Sequence, residues 1–237
     1  MRGCFVTGTD TGVGKTLIST ALLYWLGAQG LACSGYKPVA AGTQVIDGER
    51  VNEDVRALRA AGSVTLDDVV VGPCQFEAAC APQVAATLEG RTIDRVALLR
   101  GAQVVAARAE WLVVEGVGGF CVPLAPDFDS ADLAGDLALP IVLVVGLRLG
   151  CINHALLSAE AIRRRGLPLA AWVANVLDPQ MPHRGDNLAS LQHELDRRQE
   201  RTPRLGLVPN FDSPTAAAVA AHLDNAALRT LFGLTWI

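Results

Sequence analysis

Short runs of consecutive apolar residues recur along this chain, with little alternation of apolar and polar positions within each run. Such runs predict strands that are buried on both faces, as in a parallel sheet covered by helices. The predicted strands lie at residues 4–7, 32–37, 111–115, 141–145, 170–174 and 205–208. Between them, apolar residues recur at helical spacing, which predicts helices in the intervening segments.

The helix pattern is clearest after the first strand. There, residues 15–29 carry apolar side chains on one face, and Gly30 follows as a helix-ending residue. At residues 92–109 we expect Thr92 to be the N-cap and Asp94 to lie in the first turn. The other predicted helices lie at residues 51–61, 152–165, 187–198 and 214–231, with a short one near 82–88 in an otherwise irregular segment, 63–90.

Strand and helix patterns alternate from one end of the chain to the other, and no linker-like segment divides them. We therefore predict an α/β fold of the doubly wound type, a mostly parallel sheet with helices on both faces, in a single domain over residues 1–237. In such sheets ligands bind at the carboxyl ends of the strands. The polar residues that fall at those ends are residues 7–16, Lys37, Glu115, residues 146–153 and Asn175.

The first predicted strand leads into G-T-D-T-G-V-G-K-T, residues 8–16. This loop ends in Gly14, Lys15 and Thr16 as phosphate-binding loops do, but its first glycine is Gly8, so it is one residue longer than the strict pattern. A loop between a strand and a helix start offers backbone N–H groups and the positive end of the helix dipole to an anion. Lys15 can reach outer phosphates, and the Thr16 hydroxyl can bind Mg²⁺.

Mg²⁺ prefers oxygen ligands, among them carboxylates. Glu115 ends the apolar run 111–115 and precedes G-V-G-G, which lets another backbone come close, so we expect Glu115 in a metal or phosphate site. Asp54, in V-N-E-D-V, is from its spacing more typical of an exposed helix charge. Lys37 ends the second strand before Pro38. Its side chain could point across the phosphate loop or lie along the surface.

Composition narrows the classes of function. Hydrophobic residues make up 51% of the chain and charged residues 19%, which is typical of globular proteins. The net charge of −4 gives no electrostatic reason to expect nucleic acid or an anionic membrane. The start, M-R-G-C-F-V-T-G, has no extended apolar segment, so we expect no signal peptide and a cytoplasmic location. The six cysteines form no C-x-x-C pair and are expected to be free thiols.

Five motifs resemble, in order, those of the dethiobiotin synthetase family. They are F-V-T-G-T-D-T-G-V-G-K-T, G-Y-K-P-V-A, V-V-E-G-V-G-G, L-G-C-I-N-H-A-L-L and A-W-V-A-N. The resemblance implies a P-loop NTPase type of fold and an ATP-dependent cyclo-ligase of biotin synthesis. Such an enzyme joins CO₂ to 7,8-diaminopelargonic acid to form the ureido ring of dethiobiotin. The reaction passes through a carbamate and a carbamic–phosphoric anhydride, and it releases ADP and phosphate.

The resemblance also implies roles for individual residues. The implied catalytic residues are Lys37, Lys15 and Thr11, and the implied Mg²⁺ ligands are Thr16, Asp54 and Glu115. The implied nucleotide-binding residues are Gly12, Val13, Gly14, Lys15, Thr16, Leu17, Asp54, Glu115, Gly116, Val117, Gly118, Asn175, Val176, Pro209, Asn210 and Phe211. Of these, Asn175 would read adenine and the loop 209–211 would pack on the base. The implied substrate-binding residues are Thr11, Lys37, Gly150, Cys151, Ile152 and Asn153. In the family the last four belong to the neighbouring subunit and bind the substrate carboxylate, so the resemblance implies a homodimer.

Two positions depart from the family pattern. Gly12 stands where some members have an acidic residue, and we expect a more flexible loop there. Ala41 stands where some members have a serine that hydrogen-bonds the substrate. Thr43 or a water molecule could supply that contact instead.

Other classes of protein share this kind of loop. A small-molecule phosphotransferase normally needs a lid that carries arginines, and the only basic run here is residues 163–165. A related amide-forming ligase could act on a larger acid. ATPases that partition chromosomes typically carry an extra lysine near the loop start, where this chain has Thr9, Asp10 and Thr11.

Overall fold

The strands can be followed along the chain in a computed structural model that describes residues 1–46, 48–199 and 202–234. They are β1 Gly3–Gly8, β2 Cys33–Tyr36, β3 Val39–Ala41, β4 Gln44–Ile46, β5 Glu49–Val51, β6 Cys74–Phe76, β7 Trp111–Glu115, β8 Pro123–Ala125, β9 Phe128–Asp129, β10 Ile141–Leu147, β11 Leu169–Val176 and β12 Arg204–Val208. The long apolar strands form one parallel sheet in the order β12-β11-β10-β1-β7-β2. The short strands pair as β3 with β6, β4 with β5, and β8 with β9.

Helices connect the strands of the sheet. They are α1 Lys15–Ala28, α2 Glu53–Ala61, α3 Asp68–Val71, α4 Pro82–Leu88, α5 Arg95–Ala106, α6 Ser130–Leu137, α7 Cys151–Arg164, α8 Arg184–Gln199, α9 Ala216–Ala220 and α10 Asn225–Leu231. Because parallel strands cannot be joined by a tight turn, helical crossovers of this kind are what such a sheet requires.

The helices lie on both faces of the sheet, as two neighbouring residues of β2 demonstrate. A Cβ atom on Gly35 would come within 2.7 Å of Leu58 in α2 and within 3.2 Å of Leu23 in α1. Tyr36 points to the opposite face, where its hydroxyl donates to the backbone oxygen of Leu98 in α5 (2.6 Å). Further along that second face, α7 and α8 cover the buried side chains of β10 and β11. The doubly wound α/β prediction is therefore confirmed.

Several predicted helix boundaries are wrong, for reasons of capping. The N-cap of α5 is Asp94 and not Thr92, because the Asp94 carboxylate accepts hydrogen bonds from the first-turn N–H groups of Val96 (2.8 Å) and Ala97 (3.2 Å). The single helix predicted at 214–231 is two helices, α9 and α10. Between them the backbone N–H of Asp224 bonds β12, and the Asp224 carboxylate caps α10.

Several elements have no counterpart in the sequence predictions. One is the helix α6, which begins at a capping box in which the side chains of Asp129 and Asp132 each accept from the other's backbone N–H.

The helix predicted at 51–61 begins instead at Glu53, because Val51 belongs to β5 and Asn52 is the N-cap. The single-domain organisation over residues 1–237 stays a prediction.

All six cysteines are free, as predicted. Within the described parts of the chain, no helix has both the length and the apolar character needed to cross a bilayer.

The register of the sheet brings its polar strand ends together. Glu115 at the end of β7 lies beside Val6 of β1, and Asn175 of β11 lies beside Gly146 of β10. Tyr36, the last residue of β2, lies beside Val114, so the next residues, Lys37 and Glu115, emerge at the same edge. The phosphate loop leaves β1 at this edge as well.

We expect Gly35→Ala to destabilise the fold, because its methyl group would be forced against Leu58 and Leu23. Overpacking of this kind costs about 1–3 kcal/mol, which urea denaturation would measure. The matched control is Gly135→Ala in α6, where an added Cβ meets nothing within 4 Å. That change should stabilise the protein by about 0.5–1 kcal/mol, since alanine is the better helix former. Equal effects of the two substitutions would contradict this packing.

Candidate active site

A cavity of about 820 Å³ opens at the carboxyl edge of the sheet. Its lining combines the phosphate loop, the charged strand ends and a wall of small residues. The lining residues are Asp10, Thr11, Gly12, Gly14, Lys15, Thr16, Lys37, Ala41, Asp54, Ala79, Cys80, Ala81, Pro82, Glu115, Val117, Gly118, Gly119 and Val122. The cavity is therefore where the sequence predicted a ligand site.

The backbone of the phosphate loop depends on two glycines with left-handed conformations. Gly14 is the N-cap of α1, has φ +96 and provides no capping side chain. The first-turn N–H groups of α1 are therefore available to an anion. Gly12 has φ +74, although an added Cβ there would meet no atom within 4 Å. We infer that glycine at position 12 serves the turn and does not make room for a neighbour.

A buried lysine lies between two carboxylates in the cavity. The Lys37 ammonium Nζ is 2.5 Å from Glu115 Oε1 and 2.9 Å from Asp54 Oδ2. It also donates to the backbone oxygen of Gly116 (3.3 Å). The side chains of Lys37 and Glu115 are 3% and 0% exposed. Charges so deep in a protein are tolerated only when they compensate one another.

Asp54 reaches this cluster because the start of α2 is fixed by Asn52. The Asn52 carbonyl Oδ1 accepts from the backbone N–H groups of Asp54 (3.0 Å) and Val55 (3.3 Å), and its Nδ2 donates to the oxygen of Gly42 (2.9 Å). Asp54 thus stands in the first turn of a capped helix that faces the cavity. Asp54 is a helix charge whose side chain is 40% exposed, as spacing suggested, but it is paired with Lys37 and Thr16 in the cavity.

The Thr16 hydroxyl joins the same two carboxylates. Its Oγ1 lies 2.6 Å from Asp54 Oδ1 and 2.9 Å from Glu115 Oε1. One hydroxyl proton can serve only one acceptor at a time, so this group of oxygens has more acceptors than donors. Glu115 Oε2 is also buried without a hydrogen-bond partner among the described residues.

These oxygen atoms suit a hard divalent cation. Two carboxylates and a hydroxyl are the ligand types that Mg²⁺ takes from proteins, alongside waters and phosphate oxygens. No group of three or more His, Cys, Asp and Glu residues in the described parts of the chain could hold a metal ion. The candidate set at Thr16, Asp54 and Glu115 is a different kind of site, in which the protein supplies only part of the coordination.

The two lysines of the cavity have opposite pKa shifts. Burial lowers the pKa of Lys15 to about 8, and the nearby Lys37 charge adds to the effect. Burial also acts to lower the pKa of Lys37, but Glu115 and Asp54 outweigh it and raise that pKa. For Asp54, burial is outweighed by Lys37 and the Thr16 hydroxyl, so the pKa is lowered. The site therefore contains one lysine that stays charged and one that titrates within reach of physiological pH.

Asp10, which the sequence analysis did not assign to the site, connects several parts of the loop. Its Oδ1 accepts from the backbone N–H of Thr11 (2.8 Å), and its backbone oxygen accepts from Lys15 Nζ (3.0 Å). Its Oδ2 pairs with Arg148 (2.6 Å), which follows β10. The position of Asp10 inside the loop motif is the signal that could have identified it.

The predicted base-binding residues lie outside the cavity lining. Asn175 is buried, and its Nδ2 donates to the backbone oxygen of Val13 (2.9 Å). Asn210 Nδ2 donates to the oxygen of Val176 (3.3 Å), which joins the ends of β11 and β12. Phe211 packs edge-on against a histidine ring. Asn175 therefore contacts the loop directly, whereas Asn210 contacts the end of β11.

Not every predicted residue lines the cavity. Those that do are Thr11, Gly12, Gly14, Lys15, Thr16, Lys37, Asp54, Glu115, Val117 and Gly118. Those that do not are Val13, Leu17, Gly116, Gly150, Cys151, Ile152, Asn153, Asn175, Val176, Pro209, Asn210 and Phe211. Residues 150–153 form the start of α7, where Gly150 is the N-cap with φ +94.

The wall opposite the loop was missed by sequence reasoning. Residues 79–82, together with Gly119 and Val122, complete the cavity. They are small or apolar and carry no pattern that marks a site. The arginines at 163–165 do not form a lid, since they lie at the end of α7 and are paired with carboxylates.

The fold and this site together define a nucleotide-binding protein of the P-loop α/β class. A family model described as an AAA domain matches residues 2–218. The chain is 50% identical over 230 residues to the ATP-dependent dethiobiotin synthetase BioD of Janthinobacterium sp. (strain Marseille), with 95% of each chain covered. It is 48% identical over 225 residues to the protein of the same name from Ralstonia nicotianae, with 95% of this chain and 96% of the relative covered. The chain belongs to this AAA domain family and, within it, to the ATP-dependent dethiobiotin synthetases.

The pKa of Lys15 predicts how nucleotide binding depends on pH. The chain contains only two lysines, Lys15 and Lys37, so their side-chain ammonium signals can be followed individually by NMR. We expect Lys15 to lose its proton near pH 8 while Lys37 stays charged. Because an anion favours the charged lysine, affinity for a nucleotide should fall by up to about tenfold per pH unit above that point.

The control for this titration is Lys15→Met, which removes the ammonium group. Its affinity for a nucleotide should be weak and should not change between about pH 7 and about pH 9.5, the range that brackets the Lys15 pKa. Constant affinity of the unmodified protein across that range would contradict the assignment. So would a Lys15 signal that titrates with an ordinary lysine pKa.

Proposed function

We propose that this chain closes the ureido ring of dethiobiotin from 7,8-diaminopelargonic acid and CO₂, at the expense of ATP. The observation that carries the proposal is the convergence of the phosphate loop, two lysines and two carboxylates on one cavity. Similarity to named dethiobiotin synthetases over 95% of the chain supports the same activity. The products are dethiobiotin, ADP and phosphate.

The chemistry is a sequence of anionic steps. One amine of the substrate adds to CO₂ and loses a proton, which gives a carbamate. A carbamate oxygen attacks the γ-phosphorus of ATP, ADP leaves, and a carbamic–phosphoric anhydride forms. The second amine attacks the carbonyl carbon and loses a proton as phosphate departs. Catalysis of such steps depends mainly on positioning and on charge stabilisation.

Three residues of the cavity act on different parts of the reactants. Lys15, at the start of α1, binds the outer phosphates together with the loop backbone. Lys37 stabilises the negative charge of the carbamate and of the transferred phosphoryl group. Thr11, whose Oγ1 lies next to Gly118 in the cavity lining, hydrogen-bonds the carbamate. The length of the loop leaves Thr11 free for the substrate while residues 12–16 enclose the phosphates.

Mg²⁺ belongs to the proposal because the oxygen atoms of Thr16, Asp54 and Glu115 fit it. A bound Mg²⁺ neutralises charge on the phosphate oxygens. The unpartnered Glu115 Oε2 supports this assignment. The same carboxylates are the partners of Lys37, so they fix both the metal ligands and the catalytic lysine.

A homodimer completes the proposed site. The start of α7, residues 150–153, binds the substrate carboxylate in the active site of a second copy. Two exposed leucines beside and on α7 support a covered surface there, since Leu149 is 89% and Leu157 62% exposed. We place the protein in the cytoplasm, where free cysteines persist.

The experiment is to supply the purified protein with 7,8-diaminopelargonic acid, bicarbonate, ATP and Mg²⁺ and to measure dethiobiotin. We expect Lys37→Gln to lower turnover by about 100-fold or more, because a preorganised charge at the reacting group is lost. Lys37→Arg keeps a charge between the carboxylates but changes its geometry, and should lose most of the turnover while staying folded.

The control is Arg2→Gln, which breaks an exposed ion pair with Glu110 at the opposite edge of the sheet and should leave turnover unchanged. No dethiobiotin from well-folded unmodified protein would refute the proposed function. Near-normal turnover of both Lys37 variants would refute the role of Lys37 alone.

The orientation of Asn175 predicts a preference among nucleotides. Because its Nδ2 donates to Val13, the Oδ1 atom is the one available to accept from a base. Adenine and cytosine carry an exocyclic amino group at the ring carbon where guanine and uracil carry a carbonyl oxygen. An unpaired buried group costs about 1–3 kcal/mol, so ATP and CTP should exceed GTP and UTP in kcat/KM by about tenfold or more. Equal use of ATP and GTP would contradict this role of Asn175.

A further inference from the structure

An ion pair ties the phosphate loop to the segment that begins α7. Arg148 follows β10, and its guanidinium lies 2.6 Å from Asp10 Oδ2. The two residues are far apart in sequence and belong to different connections of the sheet. The function described above assigns no role to either of them.

Each oxygen atom of Asp10 either accepts a hydrogen bond within the loop or pairs with a side chain beside it. Oδ1 accepts from the Thr11 N–H (2.8 Å), and the backbone oxygen accepts from Lys15 Nζ (3.0 Å). The remaining oxygen, Oδ2, is the one that pairs with Arg148. A rotation of the Asp10 side chain would therefore displace Thr11 directly and would alter the loop backbone that holds Lys15.

Arg148 is in turn fixed to the start of α7. Its backbone oxygen accepts from the N–H of Cys151 (3.0 Å). Gly150, between them, has a left-handed backbone and is the N-cap of α7. The side chain and the backbone of Arg148 thus connect Asp10 to the first residue of the helix.

Stability does not account for this ion pair. Both side chains are 46% exposed, and exposed pairs contribute about 0–1 kcal/mol to folding. Positioning is a more sensitive property, since displacing a reacting group by about 1 Å can cost on the order of 100-fold in rate. The effect of the pair should therefore be visible in binding and turnover and hardly at all in stability.

We propose that Arg148 is a positioning residue that acts through Asp10, holding Thr11 and Lys15 in the orientation that binds the nucleotide and the carbamate. The inference concerning the carbamate rests on the proposed function, whereas the inference concerning the nucleotide does not. Arg148 lies in the connection that leads from β10 into α7. It therefore also links the phosphate loop to residues 150–153 of the same chain.

The test begins with binding of the non-hydrolysable analogue AMPPNP, measured by calorimetry with Mg²⁺. Arg148→Met removes the charge at similar length, and Asp10→Asn keeps an acceptor for Thr11. We expect each variant to bind roughly tenfold more weakly. The double variant should bind AMPPNP no more weakly than the weaker-binding single variant, because the effects of substituting two interacting residues do not add.

Two further variants separate positioning from a general effect of losing an arginine. Arg148→Lys keeps the charge and should restore affinity to within about threefold of the unmodified protein. Arg2→Met breaks the Arg2–Glu110 pair and should change affinity less than about twofold. The urea unfolding midpoints of all variants should match, which a merely structural role of Arg148 would not allow.

Turnover gives the second measurement. For Arg148→Met we expect kcat/KM for ATP to fall more than the binding constant does, because Thr11 acts on the carbamate and not only on bound nucleotide. Failure of the unmodified protein to make dethiobiotin would refute the proposed function, and the AMPPNP data would still decide the role of Arg148. AMPPNP affinity of Arg148→Met within about twofold of normal, or single effects that multiply in the double variant, would overturn the inference.

Discussion

The buried ammonium of Lys37, held between Glu115 and Asp54, is the interaction on which the site depends. A charge of this kind would be costly in the core without compensation, and here each partner comes from a different element. Lys37 follows β2, Glu115 ends β7, and Asp54 lies in the first turn of α2. The cluster forms only when both strands are in register and α2 is capped, so the fold and the site specify each other.

The same cluster explains how two lysines in one cavity differ. Lys37 has two carboxylates and a raised pKa, whereas Lys15 is buried with less compensation and has a pKa of about 8. A fixed charge suits the stabilisation of a carbamate and a phosphoryl group as they react. Lys15 suits phosphate binding, because a bound nucleotide favours the charged form of its side chain. The reaction proposed here needs both within one site.

Much of this arrangement could be predicted from the sequence. The strand at 111–115 and the helix at 82–88 are found where the apolar patterns place them, and the loop motif locates the cavity. Tertiary contacts could not be predicted from spacing, which made Asp54 an ordinary surface charge. The sequence pattern predicted Thr92 as the N-cap with Asp94 in the first turn, and only the folded backbone shows that Asp94 is the cap. The wall at 79–82 consists of small residues that carry no chemical signature.

The most direct measurement is a double-mutant cycle on the unfolding free energy with Lys37→Gln, Glu115→Gln and the double variant at neutral pH. Each single variant leaves a buried charge without its nearest partner and should lose roughly 3–5 kcal/mol. The double variant removes both charges and should recover much of that loss, giving a coupling of at least about 2 kcal/mol. Simple addition of the two single effects would contradict the account, because Lys37 and Glu115 would then not compensate one another.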